Sequence, residues 1–284
     1  MTATVPSRVL RRQLAEARIP EARLALACCE LCAHRCQVNR LANERGLCRV
    51  GADSRVFSAQ VEVSDERALG PTFAIAFAGC DLRCSFCITG RESWNPQVGT
   101  SFAPAALAQQ AARAVAQGAQ SIMILGGEPT VHLPAVLELV SQLPEQVRLV
   151  WKTNAHGTEQ SRRLLAGLFD LWLIDFKFGN DCCAERLSGA SDYVATVVQN
   201  LVWAQEDSGV VVRHVLMPGH LECCWRPVAE WLAGHLPEVS VNLRSGFWAG
   251  WQASRHPELC RPFLPGDEAA ARRLADELHL HLID

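Results

Sequence analysis

The sequence predicts an α/β protein: a partial (β/α)6 TIM-like barrel with a small N-terminal cysteine-rich metal-binding module. Three observations carry this expectation. From residue 72 onward, short apolar runs alternate with amphipathic stretches, the pattern of repeated β–α units around a parallel sheet. Residues 28–48 are rich in Cys, Arg and Asn, and there periodicity fails and only a metal would hold the loop together. Hydrophobic residues make up 49% of the 284, enough apolar surface for one large core plus a small appendage. The division expected is 1–70 for the helical and Cys-rich module and 71–284 for the barrel with its C-terminal extension.

Residues 1–27 read as one or two helices broken at Pro20, with Arg8, Arg11, Arg12, Arg18 and Arg23 interspersed with Glu16 and Glu21 as a solvated face. Strands are expected at 72–78, 121–125, 147–151, 171–174, 210–216 and 239–243. Helices are expected at 104–117, 133–142, 159–168, 192–206 and 223–235. Six strands with intervening helices fit an open, partial barrel better than a closed eight-stranded one. A helix at 267–278 and a short apolar tail complete the chain.

The formal net charge of −3 gives no general field that would draw in nucleic acid or an anionic membrane. No run of about 18 uncharged apolar residues occurs, and the N-terminus lacks the pattern of a signal peptide, so a cytoplasmic location is expected. Thirteen cysteines, an odd number, cannot all pair as disulfides, and in a reducing compartment closely spaced cysteines are more often metal ligands.

In GCDLRCSFCITG, Cys80, Cys84 and Cys87 offer three soft thiolates from one loop directly after a strand, with the aromatic Phe86 before the last. Such a set suits an iron–sulfur cluster. No fourth cysteine lies nearby, so a cubane held here leaves one iron open to chelate the amino and carboxylate groups of S-adenosylmethionine (SAM). The alternative is a structural zinc loop completed by a remote His or Cys. After the next strand comes ILGGEPT, where Gly126 and Gly127 let the backbone approach a ligand and Glu128 and Pro129 stiffen the turn. Alone it could be an ordinary turn; beside the cysteine loop it reads as the segment that receives the SAM amino group. These groups, with KTN after the third strand and DFK after the fourth, share the face of the sheet where chemistry sits.

Cys29, Cys32, Cys36 and Cys48, spaced CxxCx3Cx11C, suffice for a complete four-thiolate site holding zinc, iron or a second iron–sulfur cluster. Metal-stapled packing is favoured over electron relay. Cys28 is a spare, and His34 could substitute for a cysteine. Cys182–Cys183 and Cys223–Cys224 are adjacent pairs at helix starts; they could capture a soft metal or metalloid or form redox-active disulfides, and the favoured reading is small buried residues. Cys260 has no visible partner. Phe247, Trp248 and Trp251 read as core or lid in preference to a substrate-stacking wall.

Through FAGCDLRCSFC, GGEPTVHLP, LVWKTN, DLWLIDFKFGN, VVRHVLMPGH and CCELCAHRCQVNRLANERGLCRVG, the chain resembles the radical SAM superfamily. Within it, the chain more closely resembles uncharacterised iron–sulfur proteins similar to pyruvate formate-lyase activating enzyme. The resemblance implies a [4Fe–4S] cluster at Cys80, Cys84 and Cys87, with SAM bound by Gly126, Gly127 and Glu128. It implies that Lys152, Thr153, Asn154, Asp175 and Lys177 line the same pocket. Asp175 and Lys177 can face one side and position the SAM carboxylate, or form an ordinary ion pair. Arg213 and His214 are similar candidates, of which adjacent strand positions admit one to the pocket.

The expected activity is reductive cleavage of SAM to a 5′-deoxyadenosyl radical. The electron would come from a flavodoxin- or ferredoxin-like reductant, and hydrogen would be abstracted from a small molecule, a peptide or a glycyl-radical protein. The alternatives are aminocarboxypropyl transfer and a non-catalytic iron–sulfur or metal-binding protein. Where relatives carry Gln-Asn after the cysteine loop, this chain has Ile88-Thr89, and SGFWAGWQ replaces their tyrosine-containing segment, so the substrate is the least transferable inference.

Overall fold

A computed structural model describes residues 10–63, 66 and 69–283; Arg8 and the start of the expected N-terminal helices lie outside these. One nine-stranded sheet runs β3 (Thr100–Ser101), β1 (Arg55–Val63), β2 (Pro71–Phe77), β4 (Ser121–Gly126), β5 (Arg148–Thr153), β6 (Leu171–Asp175), β7 (Gly209–Val215), β8 (Ser240–Arg244), β9 (His281–Leu282). From β2 through β4 to β9 every pairing is parallel, whereas β1 pairs antiparallel with both β2 and β3. The six expected strands are β2 and β4–β8, forming the open (β/α) barrel. β9, formed by the apolar tail, extends its far edge.

The crossovers carry α3 (Pro104–Ala116), α4 (Leu133–Val140), α5 (Glu159–Leu165), α7 (Tyr193–Asp207) and α8 (Arg226–His235), while α9 (Asp267–Glu277) precedes β9. Two further helices were not expected as such: the single turn α2 (Arg91–Trp94), and α6 (Asp181–Ser188), which Asn180 caps by accepting from the Cys183 amide and Gly189 ends at φ 71°. α1 (Arg11–Leu24) continues through Pro20 instead of breaking there. Pro20 and Glu16, whose carbonyl loses its intrahelical donor, both lie on the exposed face, where that carbonyl is open to solvent. The helix packs on α4.

Alternation along the strands divides the interior. Ile122, Ile124, Leu149, Trp151, Trp172, Ile174, Val210 and Val212 face the helices in the main core. On the other face Met123, Val150, Leu171 and Leu173, with Leu69, fill the barrel's lower half as a separate apolar plug. Above that plug the inward positions turn polar, and a cavity opens at the C-terminal ends of the strands. No helix among the described residues is long and apolar enough to cross a membrane.

Candidate active site at the strand ends

The cavity, about 300 Å³, gathers Cys80, Cys84 and Cys87, Phe86, Gly126, Gly127, Glu128, Lys152, Thr153, Asn154, Asp175, Lys177 and Arg213. His214 is the one expected site residue turned away. It alternates to the helix side of β7, where it is 1% exposed, stacks near Trp225 and bonds the Phe176 carbonyl through Nδ1 at 2.7 Å. Adjacent strand residues point to opposite faces, so Arg213 enters the cavity and His214 cannot.

The cysteine loop is held from several sides. The Arg83 and Ser85 amides donate to the Ser188 and Leu187 carbonyls at the end of α6 (2.7 and 2.9 Å), and the Gly79 amide donates to the Glu92 carbonyl at 2.9 Å. Cys80 and Cys84 are buried and Cys87 is partly exposed. Burial pushes the Cys84 thiol up to about 12, and burial together with Asp81 pushes Cys80 well above the ordinary thiol range. Without a metal these sulfurs hold their protons, so binding iron here is coupled to proton release. No fourth cysteine lines the cavity among the described residues. Asn154 Nδ2 approaches Cys80 Sγ at 3.8 Å, and Cys87 Sγ lies 3.3 Å from Thr89 Oγ1. Three soft donors, two buried and one partly exposed, with polar groups against them fit an iron–sulfur cluster bound through three of its irons.

GGEP lines the cavity and also packs against the cysteine loop. A Cβ on Gly127 would stand 2.6 Å from the Gly79 carbonyl carbon and 3.1 Å from Cys80 Cβ, and one on Gly126 would stand 2.9 Å from the Phe77 carbonyl carbon. The glycines therefore let this turn lie directly on the cysteine loop. There the Gly127 and Glu128 amides donate to the Phe77 and Gly79 carbonyls at 2.9 and 3.0 Å. Glu128 is 1% exposed and fully engaged: Oε1 accepts from the Thr130 amide and hydroxyl and from the Thr153 hydroxyl, and Oε2 from the Asn154 amide. Burial, reinforced by Asp81, raises its carboxyl to about 7. Glu128 thus ties the GGEP turn to the KTN strand end.

Sequence reasoning missed Asp81, which joins three loops. Its Oδ1 accepts from Asn154 Nδ2 at 2.8 Å, its Oδ2 lies 3.0 Å from His156 Nδ1, and its carbonyl lies 3.1 Å from His34 Nε2. Burial alone would raise Asp81 and lower His156, but their mutual contact overrides it in both directions, lowering the Asp81 carboxyl and raising the His156 imidazole. The only local signal was a carboxylate beside a ligand cysteine.

A charged row crosses the cavity floor. Lys177 Nζ lies 2.6 Å from Asp175 Oδ2, and Arg213 Nε lies 3.6 Å from Asp175 Oδ1 and 3.2 Å from buried Glu66. Burial would raise Asp175, but Lys177, Arg213 and Lys152 together hold it well below the carboxylate range. The ion pair left open by the sequence therefore exists, and it borders the cavity. At the mouth, Ile88 and Trp248 are 78% and 61% exposed, while Phe247 packs on Phe86 and Trp251 packs under Gly90.

In the N-terminal module Cys29, Cys32 and Cys48 are buried and Cys36 is half-buried. Arg40, 1% exposed, donates to the Gly51 carbonyl and approaches Cys29 Sγ at 3.7 Å, placing a buried cation beside the thiols. The module docks on the loop after β5, where the Ala33 amide donates to the His156 carbonyl at 2.8 Å and the Thr158 hydroxyl to the Glu30 carbonyl at 2.8 Å. Among the described residues, two sets of three or more Cys, His, Asp or Glu side chains have all donor atoms within 4.8 Å of one another: His34, Asp81 and His156, and Cys183, His220, Cys223 and Cys224. Neither set includes a thiol of the quartet or of the cysteine loop.

A family model for the radical SAM superfamily matches residues 75–232, more than half of the chain. An uncharacterized protein of Methanocaldococcus jannaschii is 31% identical over 265 residues, covering 90% of this chain and 76% of its own length. A 7-carboxy-7-deazaguanine synthase of Methanothermobacter thermautotrophicus is 31% identical over 118 residues, 42% of this chain and 46% of the synthase. Among solved structures, Streptococcus suis SuiB bound to the precursor peptide SuiA superposes with a TM-score of 0.55 at 14% identity, over 72% of this chain and 46% of SuiB, a likeness of fold. The chain thus spans under half the length of SuiB and of the synthase. With the family model seated on the strand-end cavity and its three-cysteine loop, the chain belongs to the radical SAM superfamily and is an enzyme of that class.

Proposed function

We propose that the chain binds a [4Fe–4S] cluster through Cys80, Cys84 and Cys87, cleaves SAM reductively in the adjoining cavity, and abstracts hydrogen from a substrate held at the mouth. The observation that carries this is the convergence of the three thiols of one loop and the charged row Lys152, Asp175, Lys177 and Arg213 on one cavity. When bound, the cluster supplies the electron that breaks a carbon–sulfur bond of SAM, releasing methionine and the 5′-deoxyadenosyl radical.

The chain's own residues hold the reactants. Glu128 and Asn154 fix the GGEP and KTN segments against the cysteine loop, so the backbone that would face the cluster is held in place. Lys177 and Arg213 present positive charge to the SAM carboxylate, with Asp175 orienting both and offering an acceptor for the amino group. Leu82, Phe86 and Leu125 give the cavity an apolar wall that keeps water from the radical.

At about 300 Å³ the cavity lies at the small end of ligand sites, so the cluster and one SAM molecule would together account for it. The substrate, whether a small molecule, a peptide or a glycyl-radical protein, then presents only its reacting C–H, past Ile88 and Trp248. A flavodoxin- or ferredoxin-like protein is the proposed electron donor. The thiols of the N-terminal quartet, buried beside the Arg40 cation, are proposed to hold a second metal centre.

Electron paramagnetic resonance of the dithionite-reduced chain tests the assignment. The reduced-cluster signal is expected to change shape when SAM is added and to vanish in Cys84→Ala; a signal indifferent to SAM contradicts the open-iron reading.

A further inference from the structure

Away from the cavity, three thiols and an imidazole meet that the proposed chemistry does not use. Cys183 enters from the first turn of α6; His220, Cys223 and Cys224 come from the turn after β7, the last two within a π-helical segment at Leu221–Trp225. His220 Nδ1 lies 3.3 Å from Cys223 Sγ, 3.5 Å from Cys224 Sγ and 3.7 Å from Cys183 Sγ. Cys223 Sγ lies 3.9 Å from Cys183 Sγ and 4.0 Å from Cys224 Sγ. Tetrahedral zinc, with bonds of about 2.3 Å to sulfur and about 2.0 Å to nitrogen, spaces its donor atoms roughly 3.5–3.8 Å apart. The four side chains are already arranged on that scale.

The surrounding residues build this arrangement. Asn180 accepts from the Cys183 amide at 2.8 Å and donates to the Cys223 carbonyl at 2.6 Å and to Cys183 Sγ at 3.4 Å, so one side chain spans both contributing segments. A Cβ on Gly179 would come 2.9 Å from Cys224 Cα, so that glycine permits the close approach of the two segments. Adjacent cysteines in an α-helix diverge; the π-helical turn brings both sulfurs to one imidazole. Cys183, Cys224 and His220 are buried and Cys223 is half-buried, and His220 turns Nδ1 toward all three sulfurs.

We propose that Cys183, Cys223, Cys224 and His220 form a mononuclear zinc site of the Cys3His type. Four protein ligands close it, which is the pattern of a structural site. Zinc bound there fastens the loop that follows Asp175 and Lys177 to the turn that follows Arg213, bracing two strand ends of the cavity from behind. This site stands whether or not the chain cleaves SAM.

Zinc counting and zinc K-edge X-ray absorption on the anaerobically purified full chain test it. The expected result is bound zinc with nitrogen as well as sulfur in its first shell, and a loss of one zinc per chain in both Cys183→Ser and His220→Ala while iron content stays unchanged. Cys182→Ser, altering the exposed neighbour, should leave zinc intact. If the quartet also holds zinc, the wild-type shell averages the two sites and becomes all-sulfur in His220→Ala. Zinc content unchanged in both variants, an all-sulfur shell in the wild type, or a wild-type chain that neither contains zinc nor takes it up from added zinc chloride would overturn the proposal. Should the variants fail to fold, the wild-type absorption spectrum decides alone.

Discussion

Gly127→Ala isolates the contact between the GGEP turn and the cysteine loop. The added Cβ would meet the Gly79 carbonyl carbon at 2.6 Å and Cys80 Cβ at 3.1 Å, with the Gly79 oxygen nearer still. Ordinary contact begins near 3.4 Å, so the two backbones must part by on the order of 1 Å, and no side-chain rotation can relieve them. Overpacking of this kind costs about 1–3 kcal/mol. A stiffer unfolded chain returns about 0.4–1 kcal/mol, leaving a net loss of up to about 2.6 kcal/mol. The functional loss should be larger, since a displacement near 1 Å at a reacting centre costs about 100-fold in rate. Urea denaturation gives the first quantity, and 5′-deoxyadenosine formation by the reconstituted protein gives the second. Gly234→Ala, an exposed position in α8 with nothing within 4 Å of the new Cβ, is the control and should stabilise by up to about 1 kcal/mol. Wild-type stability and turnover in Gly127→Ala would refute the reasoning.

Three further outcomes follow from the structure. Asp175→Asn removes the carboxylate between Lys177 and Arg213; it should cost about 1–3 kcal/mol in stability and weaken SAM binding by about tenfold or more, measured by calorimetry, while iron content holds. His132, fully buried between Ser54 and the Ala78 carbonyl, has its pKa lowered to about 3 by burial and by Arg40. A depressed histidine contributes stability above its unfolded value that is lost as pH falls, so relative to His132→Gln the wild type should lose about 1.4 kcal/mol per pH unit below about 6.5, levelling off towards pH 3. Equal slopes for the two proteins would contradict it. Trp248→Ala, at an exposed position on the mouth, should change stability by less than about 0.5 kcal/mol and leave SAM cleavage without substrate intact, while slowing substrate turnover once a substrate is known.

How much of this was legible in the sequence depended on the range of the interaction. β2 and β4–β8 announced themselves because a strand buried on both faces reads as a continuous apolar run, as PTFAIAF does in β2. The thiol spacings and GGEP were local and could be read directly. β1 was hidden, because its mixed burial shows no strict alternation. Asp81, Asn154 and His156 meet across 73 to 75 residues of chain, and Cys183 meets His220 and Cys223 across 37 and 40, contacts that no local pattern encodes. His214 shows the converse: the alternation rule required one of two neighbours to leave the cavity, and the packing of Trp225 on β7 decided which.

The central claim is that the three-cysteine loop and the cavity beside it cleave SAM reductively. The most direct test is anaerobic reconstitution with iron and sulfide, followed by SAM and dithionite, with the products separated by chromatography. Methionine and 5′-deoxyadenosine in equal amounts, abolished in a Cys80, Cys84, Cys87→Ala triple variant, are predicted. An intact cluster that yields no 5′-deoxyadenosine, or yields 5′-methylthioadenosine in its place, would contradict the account.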